Sequence, residues 1–232
     1  MREADPGSVQ TVVTEDAGAL AEEASRNFIQ LIQEALSARS RARVILAGGS
    51  TPRETYVLLA SLLRDRRIPV DRVSWFFGDE RWVPRDHEQS NEGMARKALL
   101  GPIGAPEDTI NSWDAGWGEP IACARAYADR VHLLMGTEAD RPDLVILGLG
   151  ADGHTASLFP NAVAHLPDGA RVKVGPDMPG TAAAVQGAAD RGWRLTLSPA
   201  FLRTARCVAF LVSGAGKAEA LRADDGVQTR SL

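Results

Sequence analysis

The sequence predicts an α/β fold: a doubly wound, mostly parallel sheet with helices on both faces. Three observations predict it. Short apolar runs alternate with stretches of helical spacing along the chain. Glycine and polar residues cluster where four of those runs end, as they do at the ligand-binding edge of an open sheet. The chain has 232 residues, 44% apolar and 24% charged, which suits one globular domain with a real core.

In chain order, "VQTVVT" (9–14) reads as a strand from its β-branched residues. A helix is expected from about Asp16 to Ser37, because Leu20, Ala24, Phe28, Leu31, Ile32, Ala35 and Leu36 fall on one face. "RVILA" (43–47) reads as a buried strand, followed by a helix from Pro52, since proline suits a first turn whose N–H would be unpaired anyway. "VSWFF" (73–77) is the next strand. Ser90 is placed to cap a short helix through Leu99, and another helix is expected from Pro120 to about Met135. "DLVILGLG" (143–150), "WRLTLS" (193–198) and "CVAFLV" (207–212) complete the strands, the last followed by a helix through "KAEALR". Residues 161–192 are rich in Gly, Ala and Pro and read as a loop or mobile flap, and 223–232 as a disordered tail. The whole of 1–232 reads as a single α/β domain.

Net charge is −4 with no basic block, which argues against nucleic acid or an anionic membrane as partner. "MREADPGSVQ" has no apolar core of a secretory signal, and no apolar run reaches the roughly 18 residues of a membrane span. Cys123 and Cys207 suit reduced thiols, so a cytoplasmic protein is expected, with a monomer as the default. There is no H-x-x-x-H and no C-x-x-C pair, and no metal or other cofactor is expected.

Four loops follow strand ends. "AGGSTP" (47–52) offers Gly48 and Gly49 for a sharp bend with uncovered N–H groups, and Ser50 and Thr51 as hydroxyl donors before a helix N-terminus. That describes an anion cradle. A plain tight turn and a serine nucleophile elbow compete, but Pro52 stands where the elbow needs its second glycine. "GDERWVP" (78–84) carries Asp79, Glu80 and Arg81. Arg81 has the planar fork for phosphate, and Asp79 could accept sugar hydroxyls or orient an imidazole; a surface ion-pair cluster is the bland alternative. In "SGAGKAEAL" (213–221), Lys217 opposes its own helix dipole, which suggests an anion between them; a solvated lysine is the alternative. Arg194 is a weaker candidate of the same kind.

"VILGLGADGHTASLFP" (145–160) contains Gly148-Leu149-Gly150-Ala151-Asp152-Gly153, a literal dinucleotide fingerprint, with Asp168 about twenty residues on. The context rejects it. The loop runs on through "HTASLFP", with Pro160 breaking any helix early, and Asp168 sits in a "PDG" turn before an extended stretch. The loop instead presents His154 with little bulk around it. An ordinary imidazole is mostly neutral at cytoplasmic pH and can take a proton from water. Asp152 could hold its ring. A structural role remains the alternative.

"LAGGSTP", "FFGDERWVP" with Ser90-Asn91, "LGLGADGHTASLFP", "RLTLS" and "LVSGAGKAEAL" stand in the order and spacing of the 6-phosphogluconolactonases, and the chain resembles that family over roughly 10–160 and 193–222. The resemblance implies a Rossmann-like fold, hydrolysis of 6-phospho-D-glucono-1,5-lactone to 6-phospho-D-gluconate in the oxidative pentose phosphate pathway, and no required metal. It matches His154 to the proton-transfer residue, and Gly48, Gly49, Ser50, Thr51, Arg81 and Lys217 to the sugar-phosphate pocket. The sister glucosamine-6-phosphate deaminases share the architecture, but pair the histidine with a glutamate where this chain has Phe159, and carry an Asp-Glu-Tyr-type motif where it has "GDER". A non-catalytic sugar-phosphate-binding protein is the third reading. Two stretches depart from the lactonase pattern: "VQGAADRGW" replaces a Lys-Pro-Pro-type stretch, and "ADDGVQTRSL" stands where a further strand and helix usually follow. One sheet edge is therefore expected to be less supported.

Overall fold

The computed structural model describes residues 9–135, 137–187 and 192–223. Helix α1 (Ala17–Arg39) starts where Asp16 accepts a hydrogen bond from the Ala19 N–H at 2.8 Å, and ends at Ser40 in the left-handed conformation. It leads into strand β1 (Ala42–Leu46), helix α2 (Ser50–Asp65) and strand β2 (Val73–Phe77). After Gly78 come β3 (Asp79–Arg81), α3 (Asn91–Ala95), which runs on as a π-helical turn over Arg96–Leu100, and α4 (Pro120–Met135). Then follow β4 (Leu144–Gly148), β5 (Val163–His165), β6 (Arg171–Lys173), β7 (Ala182–Gln186), β8 (Trp193–Leu197), α5 (Pro199–Leu202), β9 (Val208–Leu211) and α6 (Ala218–Ala223). Among the described residues no helix is long and apolar enough to cross a membrane.

The α/β fold is as expected, with a parallel sheet in the order β2-β1-β4-β9. From β1 the chain moves one way to β2 and later returns on the other side as β4. The crevice between the β1 and β4 loops is thus the topological switch point. A second sheet, antiparallel and ordered β3-β8-β7-β5-β6, was not foreseen. The two sheets join at Gly78, whose N–H bonds Leu46 and whose carbonyl accepts from Leu197. One apolar core spans both.

Three expectations need correction. Residues 9–14 form no strand: Val9, Val12 and Val13 are exposed, because β propensity without a partner edge buries nothing. The stretch 161–192 holds β5, β6 and β7, with 188–191 outside the described residues. Its run Ala182-Ala183-Ala184 is fully buried, and such small side chains on β7 let α4 lie close. Helix α2 starts at Ser50, two residues before Pro52. The expected tail at 223–232 lies outside the described residues apart from the last residue of α6.

Buried hydroxyls fix the roots of the site loops. Tyr56 of α2 donates to the Ala47 carbonyl at 2.9 Å and accepts from the Ala47 N–H at 2.8 Å, just past β1. Tyr127 of α4 does the same at Phe77, the last residue of β2, at 3.1 and 2.9 Å. Trp113 stacks on Tyr127 and donates its indole N–H to the Phe77 carbonyl.

Glu80 fastens α3 to β3. Its carboxylate accepts the N–H groups of Arg81, Asn91 and Glu92 at 2.7–2.8 Å and the Ser90 hydroxyl at 3.0 Å, while Ser90 also accepts from Gly93. It is buried, so it is not part of a surface ion-pair cluster. Burial pushes this carboxyl up to about 7, against the donors that favour its anion. Glu80→Ala strands three buried N–H groups and should destabilise the fold by about 3 kcal/mol or more, read by urea unfolding. The raised value also has a sign. Between about 4.5 and 7 the folded state holds a proton that the unfolded chain has released, so this group's contribution to stability falls as pH rises through that window. Glu80→Gln should reduce that slope.

Candidate active site

Parallel pairing sends the loops after β2, β1, β4 and β9 to one edge in that order, so the 78–84, 47–51, 149–160 and 212–217 segments line up along it. Every sequence-predicted site residue except Arg194 belongs to these loops. Arg194 reaches the same region through the second sheet, directly opposite Arg81 in the β3–β8 ladder. Directly opposed residues share a face, so Asp79, Arg81, Arg194 and Thr196 lie on one side of that sheet.

His154 is held by its own loop. Its Nδ1 contacts the Asp152 carboxylate, its carbonyl accepts from the Gly150 N–H at 2.7 Å, and its ring lies 4.7 Å from that of Phe159. Gly150 is a requirement here: a Cβ on it would sit 2.1 Å from His154 Nδ1. The imidazole can fold back onto Asp152 only over a residue with no side chain. A carboxylate at Nδ1 favours the tautomer with the proton on Nδ1. Nε2 has no hydrogen-bond partner among the described residues. The side chain is 27% exposed, so solvent reaches it.

Asp79 is buried and carries no bond to the imidazole. One oxygen accepts from the Ser157 hydroxyl at 2.7 Å and the other from Asn91 Nδ2 at 3.1 Å. Burial pushes its carboxyl above the usual range; the Ser157 bond and the nearby Arg81, His154 and Arg194 oppose this. Those three cationic or protonatable groups therefore share one neighbourhood. The contact to the imidazole nitrogen is made by Asp152, not Asp79.

The cradle at β1 is open. Gly49, at φ +106°, precedes α2 with no side chain capping the helix, Ser50 is exposed, and Pro52 has no N–H. The N–H groups of Ser50 and Thr51 and the positive end of a 16-residue helix thus face the crevice. Lys217 lies half-buried in the single 3-10 turn after β9, the strand beside β4.

Sequence reasoning did not single out Asn91 or Ser157. Asn91 also donates to the Asp79 carbonyl at 2.9 Å, and its Oδ1, buried with no partner, lies where a Gly48 Cβ would be, at 1.7 Å. Gly48 is needed for this closeness. Both lay inside motifs of the family resemblance, Asn91 after the capping Ser90 and Ser157 in the 147–160 stretch, but nothing local assigned either a role.

Comparison with known proteins places the chain in one family and agrees with its fold. The family described as glucosamine-6-phosphate isomerases/6-phosphogluconolactonase matches residues 15–228. A 6-phosphogluconolactonase of Synechocystis sp. is 37% identical over 193 residues, covering 82% of this chain and 74% of its own. That of Mycobacterium leprae is 33% identical, covering 94% and 87%. The solved 6-phosphogluconolactonase of Trypanosoma brucei superposes with a TM-score of 0.73 at 30% identity over 95% of this chain and 87% of that one. That of Trypanosoma cruzi gives 0.76 at 28% identity, over 100% and 89%. With a match this long, and with the loops it covers gathered at one sheet edge, the chain belongs to the glucosamine-6-phosphate isomerase/6-phosphogluconolactonase family.

Proposed function

We propose that this chain hydrolyses 6-phospho-D-glucono-1,5-lactone to 6-phospho-D-gluconate, with His154 as the base. The observation that carries the reading is the His154–Asp152 contact at the switch point, which leaves Nε2 toward solvent chemistry beside an open anion cradle. Relatives named for this activity, at 30–37% identity over most of the chain, support it.

The steps follow from the groups present. The sugar phosphate rests on the N–H and hydroxyl groups of Ser50 and Thr51, with Lys217, Arg81 and Arg194 supplying positive charge. Nε2 of neutral His154 takes a proton from water as the water oxygen bonds to the lactone carbonyl carbon. Asp152 steadies the imidazolium that forms, as a carboxylate at the far ring nitrogen does in other base-assisted acyl transfers. The tetrahedral intermediate collapses with cleavage of the bond to the ring oxygen, which receives the proton from His154. The products are a free hydroxyl and a carboxylic acid, which loses its proton to solvent and becomes the carboxylate. Fixing the phosphate fixes the ring against the water, which removes much of the entropic barrier. Water is the co-substrate, and the ester needs no covalent nucleophile.

The isomerase reading lacks a second acid–base group at the expected place. The neighbour of the His154 ring is the apolar ring of Phe159. Glucosamine 6-phosphate should yield no ammonia above background.

The direct test is acid release from freshly prepared 6-phosphogluconolactone, measured in a pH-stat against the spontaneous rate. Faster release with the protein is expected; a rate equal to the blank overturns the reading, and ligand-induced stabilisation without release would leave a binding protein. His154→Gln should lower kcat by about 10²–10⁴-fold with KM little changed. Asp152→Asn should lower kcat by about tenfold or more, by loosening the ring. Lys217→Ala should act mainly on KM, raising it about tenfold for one lost charge-assisted hydrogen bond. An unchanged KM removes Lys217 from the phosphate site.

A further inference from the structure

The opposite edge of the parallel sheet carries its own concentration of charge. Helix α1 ends at Arg39, Arg41 precedes β1, Arg43 is its second residue, and Arg206 precedes β9. These four arginines, with Ala139 and Asp140, line a recess of about 440 Å³. It lies at the amino ends of β1, β4 and β9, one strand length from the His154 edge, roughly 15 Å.

The acids beside it are already used. Asp143 is buried; one oxygen accepts from Arg39 at 2.6 Å and faces Arg206 Nε at 3.4 Å, and the other accepts the Arg43 N–H at 2.8 Å. Asp140 accepts from Arg43 Nη2 at 2.5 Å and from the Thr137 hydroxyl at 2.7 Å. Among the described residues, four lining guanidiniums thus face two engaged carboxylates. Arg41 makes no ion pair or side-chain hydrogen bond among the described residues, and Arg39 Nε is buried without an acceptor. Burial, then Arg39 and Arg141, with Arg43 adding to them, push the Arg206 guanidinium below its ordinary value against the pull of Asp143. A network that only stapled strand ends would need Arg39, Arg43 and Arg206 on Asp143 and Asp140. It would not need a fourth cation crowded against them in a protein of net charge −4.

We propose that this recess is a second anion site, in which Arg39, Arg41, Arg43 and Arg206 bind a small phosphate ester carrying at least two negative charges. Guanidinium forks match phosphate oxygens in pairs, and the recess exceeds one inorganic phosphate, which points to an organic phosphate or a diphosphate. A recess of about 440 Å³ suits a small molecule, where a nucleic acid backbone would need a longer track of charge.

The probe is inorganic pyrophosphate, titrated calorimetrically at low salt without divalent metal. The chain and its Lys217→Ala variant should both bind it at this site. Arg41→Gln, which removes no bond of the fold, should weaken binding about tenfold and leave lactone turnover unchanged. Arg41→Gln/Arg206→Gln should abolish it. Equal affinity in Arg41→Gln and the parent chain overturns the proposal, as does loss of all binding in Lys217→Ala, which would place pyrophosphate at the other edge. No heat in the parent chain also overturns it. Lactone turnover reads the other site, so failure here and failure of the hydrolase reading are distinguishable.

Discussion

Asp79 accepts hydrogen bonds from Asn91 and Ser157, and through them one buried carboxylate ties together three loops of the carboxyl edge. Asp79 itself follows β2. Asn91 opens α3 and packs against Gly48, which follows β1, and Ser157 belongs to the loop after β4 that carries His154. A charge in such a place destabilises unless its oxygens are satisfied, and here each has a donor. The loops therefore cannot drift independently. The cradle and the imidazole keep their spacing because both are referred to the same buried group.

The rest of the molecule acts on that constraint from outside. Tyr56 and Tyr127 clamp the backbone where β1 and β2 become loops, and Glu80 holds α3, hence Asn91, against β3. Three layers of fixing thus converge on an edge whose outermost groups are left open: Ser50 and the α2 N-terminus on one side, Nε2 of His154 on the other. In the proposed reaction the rigid part positions and the open part reacts. Positioning of this kind is worth more to a hydrolase than an added nucleophile when the ester is already activated.

Much of this was legible in the sequence, and the misses share a cause. The parallel strands and their helices announced themselves through local periodicity, and the four polar loops through their glycines. The antiparallel sheet did not. Its centre, Ala182–Gln186, has poor β propensity, and is a strand because small side chains there admit α4. Residues 9–14 failed the other way, being good strand formers with no edge to join. In the site, His154, Asp152 and Arg81 were readable as chemistry-bearing types in glycine-rich loops. Asn91 and Ser157 were not, because their importance comes from partners 12 and 78 residues away. Gly150 was visible as part of a false dinucleotide pattern, yet what it supplies is room for an imidazole.

In the proposed complex one sugar phosphate touches the loops after β1 and β4 together. Backbone amide shifts recorded by NMR during titration with 6-phosphogluconate test it most directly. Joint, saturable shifts at Gly48–Thr51 and Gly150–His154 with a single affinity are expected. Shifts confined to one of these loops, or absent from both, would contradict it.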